Sequence, residues 1–269
     1  MMVKGHYSAA YIGKNLRIDR ISSLIVSARR HQPLSQAVLS LADPAGEVFR
    51  AVSVSDRVRI HFGERDGDAA TWYGSVTTVQ QAGPDQIEIG CVGEEQPLST
   101  YLITQTWRNE TPESILADTI RQAGLAVGRI DKTGMILPHF VAANQCPWEI
   151  SESLAGTCQR QLGLDMSRWA LWMSSTGHVN WGDFEEQKPT LPVIATGAGL
   201  IRHQPAEGNL SESRIETFLL PNLWHSQPVR LKDQRRGLNE LRRVLAVEHR
   251  IDQGSARTFI NTGVENARI

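Results

Sequence analysis

Between Asp56 and Trp107, apolar and polar residues take turns along the chain, and that alternation limits what it can fold into. Val58, Ile60 and Phe62 alternate with Arg57, Arg59 and His61. A period of two puts one face in a core and the other toward water, as in a half-buried strand. The loop Gly63-Glu64-Arg65-Asp66-Gly67-Asp68-Ala69 suits a reversal, and Trp72, Tyr73, Gly74 and Val76 open the next strand. A second turn, Gly83-Pro84-Asp85, leads into Ile87, Ile89 and Cys91. Three short strands joined in this way predict an antiparallel meander. Alone it cannot cover its apolar face, so it must close into a barrel or pack on another sheet.

The same alternation extends upstream. Leu16 and Ile18, then Leu24, Val26 and Ala28, then Leu34 to Leu41 predict strands, with Asp43-Pro44-Ala45-Gly46 as a turn and Val48, Ala51 and Val52 leading on to Asp56. Six or seven strands in about a hundred residues indicate an antiparallel barrel or sandwich.

After Trp107 the period changes. Thr111-Pro112-Glu113-Ser114 starts a helix, with a capping hydroxyl and a proline where the missing N–H is harmless. Ile115, Leu116, Thr119 and Ile120 recur at helical spacing, and Gly124 ends the run. An extended piece follows from Met135 to Val141. A second helix runs from about Pro147 to Gln161 and ends at Gly163-Leu164. Trp169 to Trp172, Ser175-Thr176-Gly177 and Val179 to Trp181 then predict a hairpin. Residues 184–212 hold several prolines and glycines without a period, which predicts a linker or long loop. From Ser213 strands return: Ile215, Thr217 and Leu219, then Val229 and Leu231. Leu245, Val247, His249 and Ile251 share a face, followed by a turn at Gln253-Gly254-Ser255 and a strand through Thr258-Phe259-Ile260.

The expected fold is therefore mainly β with an α+β insert: two small antiparallel β-barrel-like domains and a helix-containing middle domain. The expected boundaries are 1–107 for the first barrel, 108–183 for the insert, 184–212 for the linker and 213–269 for the second barrel. The last is too short to stand alone, so it needs help from the first domain or another subunit.

Composition narrows the function classes. The 269 residues carry a formal net charge of −1, which exerts no global pull on nucleic acid or an anionic membrane. The basic pairs Arg29-Arg30, Arg235-Arg236 and Arg242-Arg243 are short and are expected on solvated faces. No stretch approaches the ~20 apolar residues of a membrane span, so no membrane insertion is expected. The first twenty residues lack an apolar signal core, so no secretion signal of the usual kind is expected. Cys91, Cys146 and Cys158 are odd in number and widely spaced, which argues against a disulfide framework or a zinc ribbon; Cys91 on its strand and Cys158 in its helix read as buried small apolar residues of a reduced intracellular product.

No enzyme signature stands out: there is no phosphate-binding glycine loop, nucleophile elbow or helical pair of histidines. His6, His31, His61, His139, His178, His203, His225 and His249 are scattered, and His249 reads as a hydrogen-bonded structural histidine. Cys146-Pro147 at a helix start is accounted for as structure, although a pairing of Cys146 with a distant histidine is the nucleophilic alternative. Glu94-Glu95 and Glu185-Glu186 are expected as exposed turn charges. The seven tryptophans are expected as core and interface anchors, with sugar-stacking platforms as the alternative. No catalytic, cofactor-binding or metal-ligating residue is assigned, and no cofactor is expected.

The order of features resembles the baseplate hub proteins of phage tails, the late-control D or Mu-type hubs, whose like also forms the base of VgrG spikes. The resemblance is carried by Arg57-Val58-Arg59-Ile60 with Trp72-Tyr73-Gly74-Ser75-Val76 and by Gln96-Pro97-Leu98 with Trp107. It continues through Thr111 to Leu116 ending in Gly124-Leu125, and through Cys146-Pro147-Trp148-Glu149 to Gly163-Leu164. Trp172 to Gly182, Val244 to His249 and Thr258-Phe259-Ile260 complete it. It covers residues 12 to 265. His225-Ser226-Gln227-Pro228 stands where the family often has Pro-Gly-Asp, and the chain is short for a hub.

The resemblance implies a homotrimer whose two barrels per subunit form a pseudo-sixfold ring. Such a ring would adapt a sixfold tail tube to a threefold spike or fibre around a channel that passes DNA without specific binding. The implied partners are a tail tube or distal tail protein, a central spike or fibre protein, and a tape-measure protein. The implied place is the tail tip or baseplate of a virion assembled in a bacterial cytoplasm. A cell-wall-degrading or carbohydrate-binding tail component, and a receptor-docking or effector-carrying module, are the competing expectations; the first needs paired carboxylates facing a cleft.

Overall fold

The structure, a computed structural model, describes residues 5–186, 190–206 and 212–266, with side chains described through residue 263. In chain order its elements are β1 (His6–Ile12), β2 (Leu16–Ile18), β3 (Ser23–Arg29), β4 (Gln36–Ala42), α1 (Glu47–Ala51), β5 (Arg57–Glu64), β6 (Ala69–Gly83) and β7 (Gln86–Gly93). There follow α2 (Pro97–Thr100), β8 (Ile103–Glu110), α3 (Pro112–Gln122), β9 (Ala126–Ile130), β10 (Leu137–Gln145), α4 (Pro147–Leu162), β11 (Ala170–Met173) and β12 (His178–Gly182). The chain closes with β13 (Val193–Thr196), β14 (Gly199–Gln204), β15 (Glu212–Phe218), β16 (Pro228–Asp233), a 3₁₀ turn at Gln234–Arg236, β17 (Leu238–Asp252) and β18 (Ser255–Asn266). No helix among the described residues is long and apolar enough to cross a membrane.

Two compact units divide the chain, and each has its own core. The first takes residues 1–29, 35–94 and 185–269. Its strands are hydrogen-bonded in the order β16-β13-β14-β15-β18-β17-β3-β4-β7-β6-β5-β1-β2, and a further β16–β17 pairing closes the first six into a barrel. β13 runs parallel to both its neighbours; the other pairings are antiparallel.

The 15-residue strand β17 belongs to both halves of this unit. Its first part, Leu238 to Arg243, pairs with β16 and closes the barrel. Its last part, Ala246 to Asp252, pairs with β3 and starts the second group of strands. Register shifts on either side of Val244 mark a bulge, the usual device for re-aiming a strand. The bulge also explains a departure from the simple alternation. Val247, His249 and Ile251 face inward as expected, but Val244 takes the inward place before them and Leu245 is only half-buried.

The barrel core holds Ile194, Ile215, Leu223, Val229, Leu231, Val244, Val247 and Ile260. A separate core lies inside the β1–β7 strands. There Leu24 and Val26, Ala37, Leu39 and Leu41, Val58, Ile60 and Phe62, and Ile87, Ile89 and Cys91 are the alternate residues of β3, β4, β5 and β7. Each fully buried aliphatic side chain contributes roughly 1.5–3 kcal/mol of transfer free energy. Trp224, in the connection before β16, packs on both cores.

The linker expected at 184–212 is corrected. Its residues 193–196 and 199–204 form β13 and β14, two staves of the closed barrel. The barrel therefore begins before Ser213, which is how so short a tail segment acquires a core. Residues 187–189 and 207–211 of that stretch lie outside the described residues. Likewise the short helix α1 occupies 47–51 where an extended approach to β5 is expected; Asp43 carboxylate oxygens accept from the Val48 and Phe49 N–H groups and start it.

The second unit takes Arg30–Leu34 and Glu95–Phe184, so the division falls at 94/95 rather than at the expected 107/108. β8 pairs with β10, and β12 pairs with β11 and, in parallel, with β9. Thr111 Oγ1 accepts from the Ser114 N–H at 3.2 Å to cap α3, and the Glu149 carboxylate accepts from the Cys146 N–H at 2.9 Å at the start of α4. Gly124 (φ 76°) and Gly163 (φ 65°) take the left-handed conformation just past the two helices. The core gathers Ile115, Leu116, Ile120, Ile150, Leu154, Cys158, Leu171, Val179 and Trp181.

Candidate interaction face

Several buried polar groups fix the geometry of the first unit. His249 of β17 is 1% exposed. Its Nε2 lies 3.1 Å from the Leu223 carbonyl oxygen and its Nδ1 3.0 Å from Thr258 Oγ1. A carbonyl can only accept, so Nε2 carries the proton and Nδ1 accepts from the threonine hydroxyl. Thr258 Oγ1 in turn accepts from the Leu220 N–H at 2.9 Å. The relay ties the 219–227 connection to the β17–β18 hairpin. Desolvation pushes the imidazole down to about 4, so the ring is neutral at pH 7.

A buried ion pair fixes the start of the same unit's last segment. Glu185 Oε1 accepts from Arg243 Nε at 2.7 Å, with both side chains almost wholly buried. Beside it, Gln227 Nε2 donates to Glu186 and Gln227 Oε1 accepts from the Trp224 N–H. The expectation of exposed doublets is corrected for Glu185 and for Glu95, both buried. The solvated-face expectation is corrected for Arg243 and Arg30. In the second unit Arg30 is fully buried and donates to the carbonyls of Gly182 (2.7 Å), Phe184 (3.3 Å) and Arg168 (3.4 Å). In both cases the charge is matched by acceptors from distant parts of the chain, which makes its burial tolerable.

A third buried group lies at one end of the barrel. Asp233 Oδ2 faces His203 Nδ1 at 2.9 Å and Arg236 at 3.0 Å, and Asp233 Oδ1 accepts from the Arg235 N–H. The His203 hydrogen bond, followed by Arg236, holds the Asp233 carboxyl below its ordinary value against the opposing effect of burial.

The outward face of β14, β15, β18, β17 and β3 is patterned. Strand register sets Arg202, Glu216, Phe259, Glu248 and Ser27 in one row. Gln204, Arg214, Asn261, Ala246 and Arg29 form the next. Phe259 lies beneath two guanidinium groups, with Arg214 Cζ 5.4 Å and Arg250 Cζ 5.0 Å from its ring centre. Arg257 covers Phe218 in the same way at 5.3 Å. Such stacking holds long cationic side chains down on a sheet. Glu212 pairs with Arg29 at 3.3 Å and Glu216 with Arg257 at 3.9 Å, so both signs alternate over the face.

The other candidates of the sequence fall into structural places. Burial pushes the Cys91 thiol up to about 12 and also raises Cys146 and Cys158. All three are free and buried, which leaves them poor nucleophiles at neutral pH. His61 meets Thr71, and Tyr11 packs on its ring edge-on. Trp72, Trp107, Trp172 and Trp181 are buried, and Trp148, Trp169 and Trp224 are half-buried against the cores, so the rings serve packing rather than an open platform. Arg202, Arg214 and the Asp233–His203 pair were not singled out from sequence; the signal was the alternation of charge along β14 and β15.

No protein-family model and no curated protein matches the sequence. Solved structures do match over nearly the whole chain. A 43 kDa tail protein of prophage MuSo2 from Shewanella oneidensis aligns with a TM-score of 0.71 at 11% identity, covering 96% of each chain. A tail protein from Neisseria meningitidis aligns at 0.70 and 8% identity, covering 97% of each. An Escherichia coli component of the type VI secretion system, described as structurally similar to T4 tail proteins, aligns at 0.62 and 9% identity over 94% of this chain and 76% of that one. The chain therefore has the fold of these phage tail proteins.

Proposed function

We propose that the chain is a non-enzymatic hub of a phage tail tip or baseplate, built into a homotrimeric ring. The observation that carries this reading is the doubling within one chain. A closed barrel and a second curled group of strands share β17 and run on as one hydrogen-bonded ribbon. Three copies of a chain that carries two curled groups of strands would supply six lobes, which suits a sixfold tube on one side and a threefold spike or fibre on the other.

In this reading the two sheet groups are the ring-forming domains and residues 95–184 are the intervening helix-bearing domain. The neighbours are a tube or distal tail protein, a spike or fibre protein and a tape-measure protein, at the tail tip of a virion. DNA passes through the ring without sequence-specific contact; a net charge of −1 accords with that.

Size-exclusion chromatography with light scattering tests the proposal. A mass three times the 29.9 kDa chain supports it. A monomer that persists at high concentration counts against it.

A further inference from the structure

We propose that neighbouring copies of this chain meet head to tail through the β5–β6 hairpin. The Asp66-Gly67-Asp68 tip of one copy seats on the Arg57, Arg59 and Tyr73 face at the root of the next copy's hairpin. The proposal rests on the trimeric reading above and names its contact surfaces.

The root carries unmatched positive charge. Arg57 and Arg59 are the exposed alternates of β5, outward of buried Val58 and Ile60. Among the described residues neither guanidinium has a carboxylate within ion-pair distance. Asp19 is taken by Arg17 at 2.9 Å, and the Asp56 carboxylate accepts from the Ser53 N–H at 2.8 Å. Strand register sets Arg17, Tyr11, Arg59 and Tyr73 in one row across β2, β1, β5 and β6. Arg59 Cζ lies 4.6 Å and Arg17 Cζ 5.6 Å from the Tyr11 ring centre, which holds both long side chains down on the sheet. Tyr73, at the end of the row, is 48% exposed. Tyrosine and arginine side chains held in place by their neighbours are the ones that most often carry protein–protein binding energy.

The tip carries the complement. Asp66 and Asp68 are exposed, and neither carboxylate has a partner among the described residues. The one cation of the loop, Arg65, lies along Gly5 just before β1, its Cδ 3.2 Å from the place where a Gly5 side chain would begin. Arg59 and Glu64 are separated by about 17 Å along the strand, so one hairpin cannot bring its own tip to its own root. The next copy can. Two different, complementary patches on one chain make a heterologous contact, the kind that closes a ring.

Charge favours this occupant over nucleic acid. Arg57 and Arg59 lie about 7 Å apart along one strand. Two such groups would neutralise only a few phosphates, and affinity for a duplex rises with the number neutralised.

Light scattering of the full chain tests the contact. The proteins are the wild type, Arg57→Glu/Arg59→Glu, Asp66→Lys/Asp68→Lys and the variant with all four changes. Each double variant sets like charges against each other and should weaken assembly about tenfold or more. The fourfold variant exchanges the signs at both ends and should recover the trimer. All four positions are exposed, and an unchanged far-ultraviolet circular dichroism spectrum verifies each fold. A labelled DNA duplex is added in a separate arm. A wild-type trimer that both double variants leave intact, or a fourfold variant that stays dissociated, would overturn the contact and leave the trimer standing. A wild-type monomer would overturn both. Duplex binding that Arg57→Glu/Arg59→Glu abolishes without changing assembly would reassign the face to nucleic acid and overturn the contact.

Discussion

The ring of Phe62 faces that of His249 at 5.3 Å between centres, although β5 and β17 are separated by β3, β4, β7 and β6 in the sheet order. The contact requires the second group of strands to curl back until its fifth strand from β17 meets β17 itself. Phe62 is 2% exposed. Phe62→Ala should therefore open a cavity at the closure and destabilise the protein by about 3–5 kcal/mol. Urea unfolding checks this; a loss under 1 kcal/mol would mean the curl does not depend on the contact.

His249 makes stability depend on pH. Its folded value, about 4, lies below the ordinary 6.5, so below pH 6.5 the unfolded chain takes up a proton that the folded chain refuses. This contribution is intact above pH 6.5 and is lost progressively as the pH falls toward 4, on the order of 3 kcal/mol in total. Denaturation between pH 7.5 and 4.5 should show the decline, and His249→Gln should flatten it while lowering stability at pH 7.5. An equal slope in both proteins would assign the effect to other groups.

Arg243 and Glu185 should behave as a coupled pair. Arg243→Ala leaves a buried carboxylate unmatched and should cost about 3–5 kcal/mol. Adding Glu185→Leu should restore much of the loss, because no orphaned charge remains. A double-mutant cycle reads the coupling; simple additivity of the two losses would show that the pair does not act as a unit.

Much of the barrel chemistry could be read from the residues, because period-two runs such as Val58-Ile60-Phe62 report burial directly. His249 was likewise legible, since it sits in phase between Val247 and Ile251. The helices announced themselves through Thr111-Pro112 and Gly124, and through Pro147 and Gly163. What escaped depends on contacts far apart in sequence. β13 is four residues long and parallel to both neighbours, so its partners, not its composition, make it a strand. β9 is a five-residue strand held in parallel register by β12. Arg30 and Glu185 look like surface charges until the carbonyls or the guanidinium that meet them are known.

The doubled, ring-forming arrangement is tested most directly by electron microscopy of the assembled particle. The account predicts a ring with threefold rotational order and six similar lobes around a central opening, each chain supplying two. A closed ring of six whole chains, or particles holding a single copy, would contradict it.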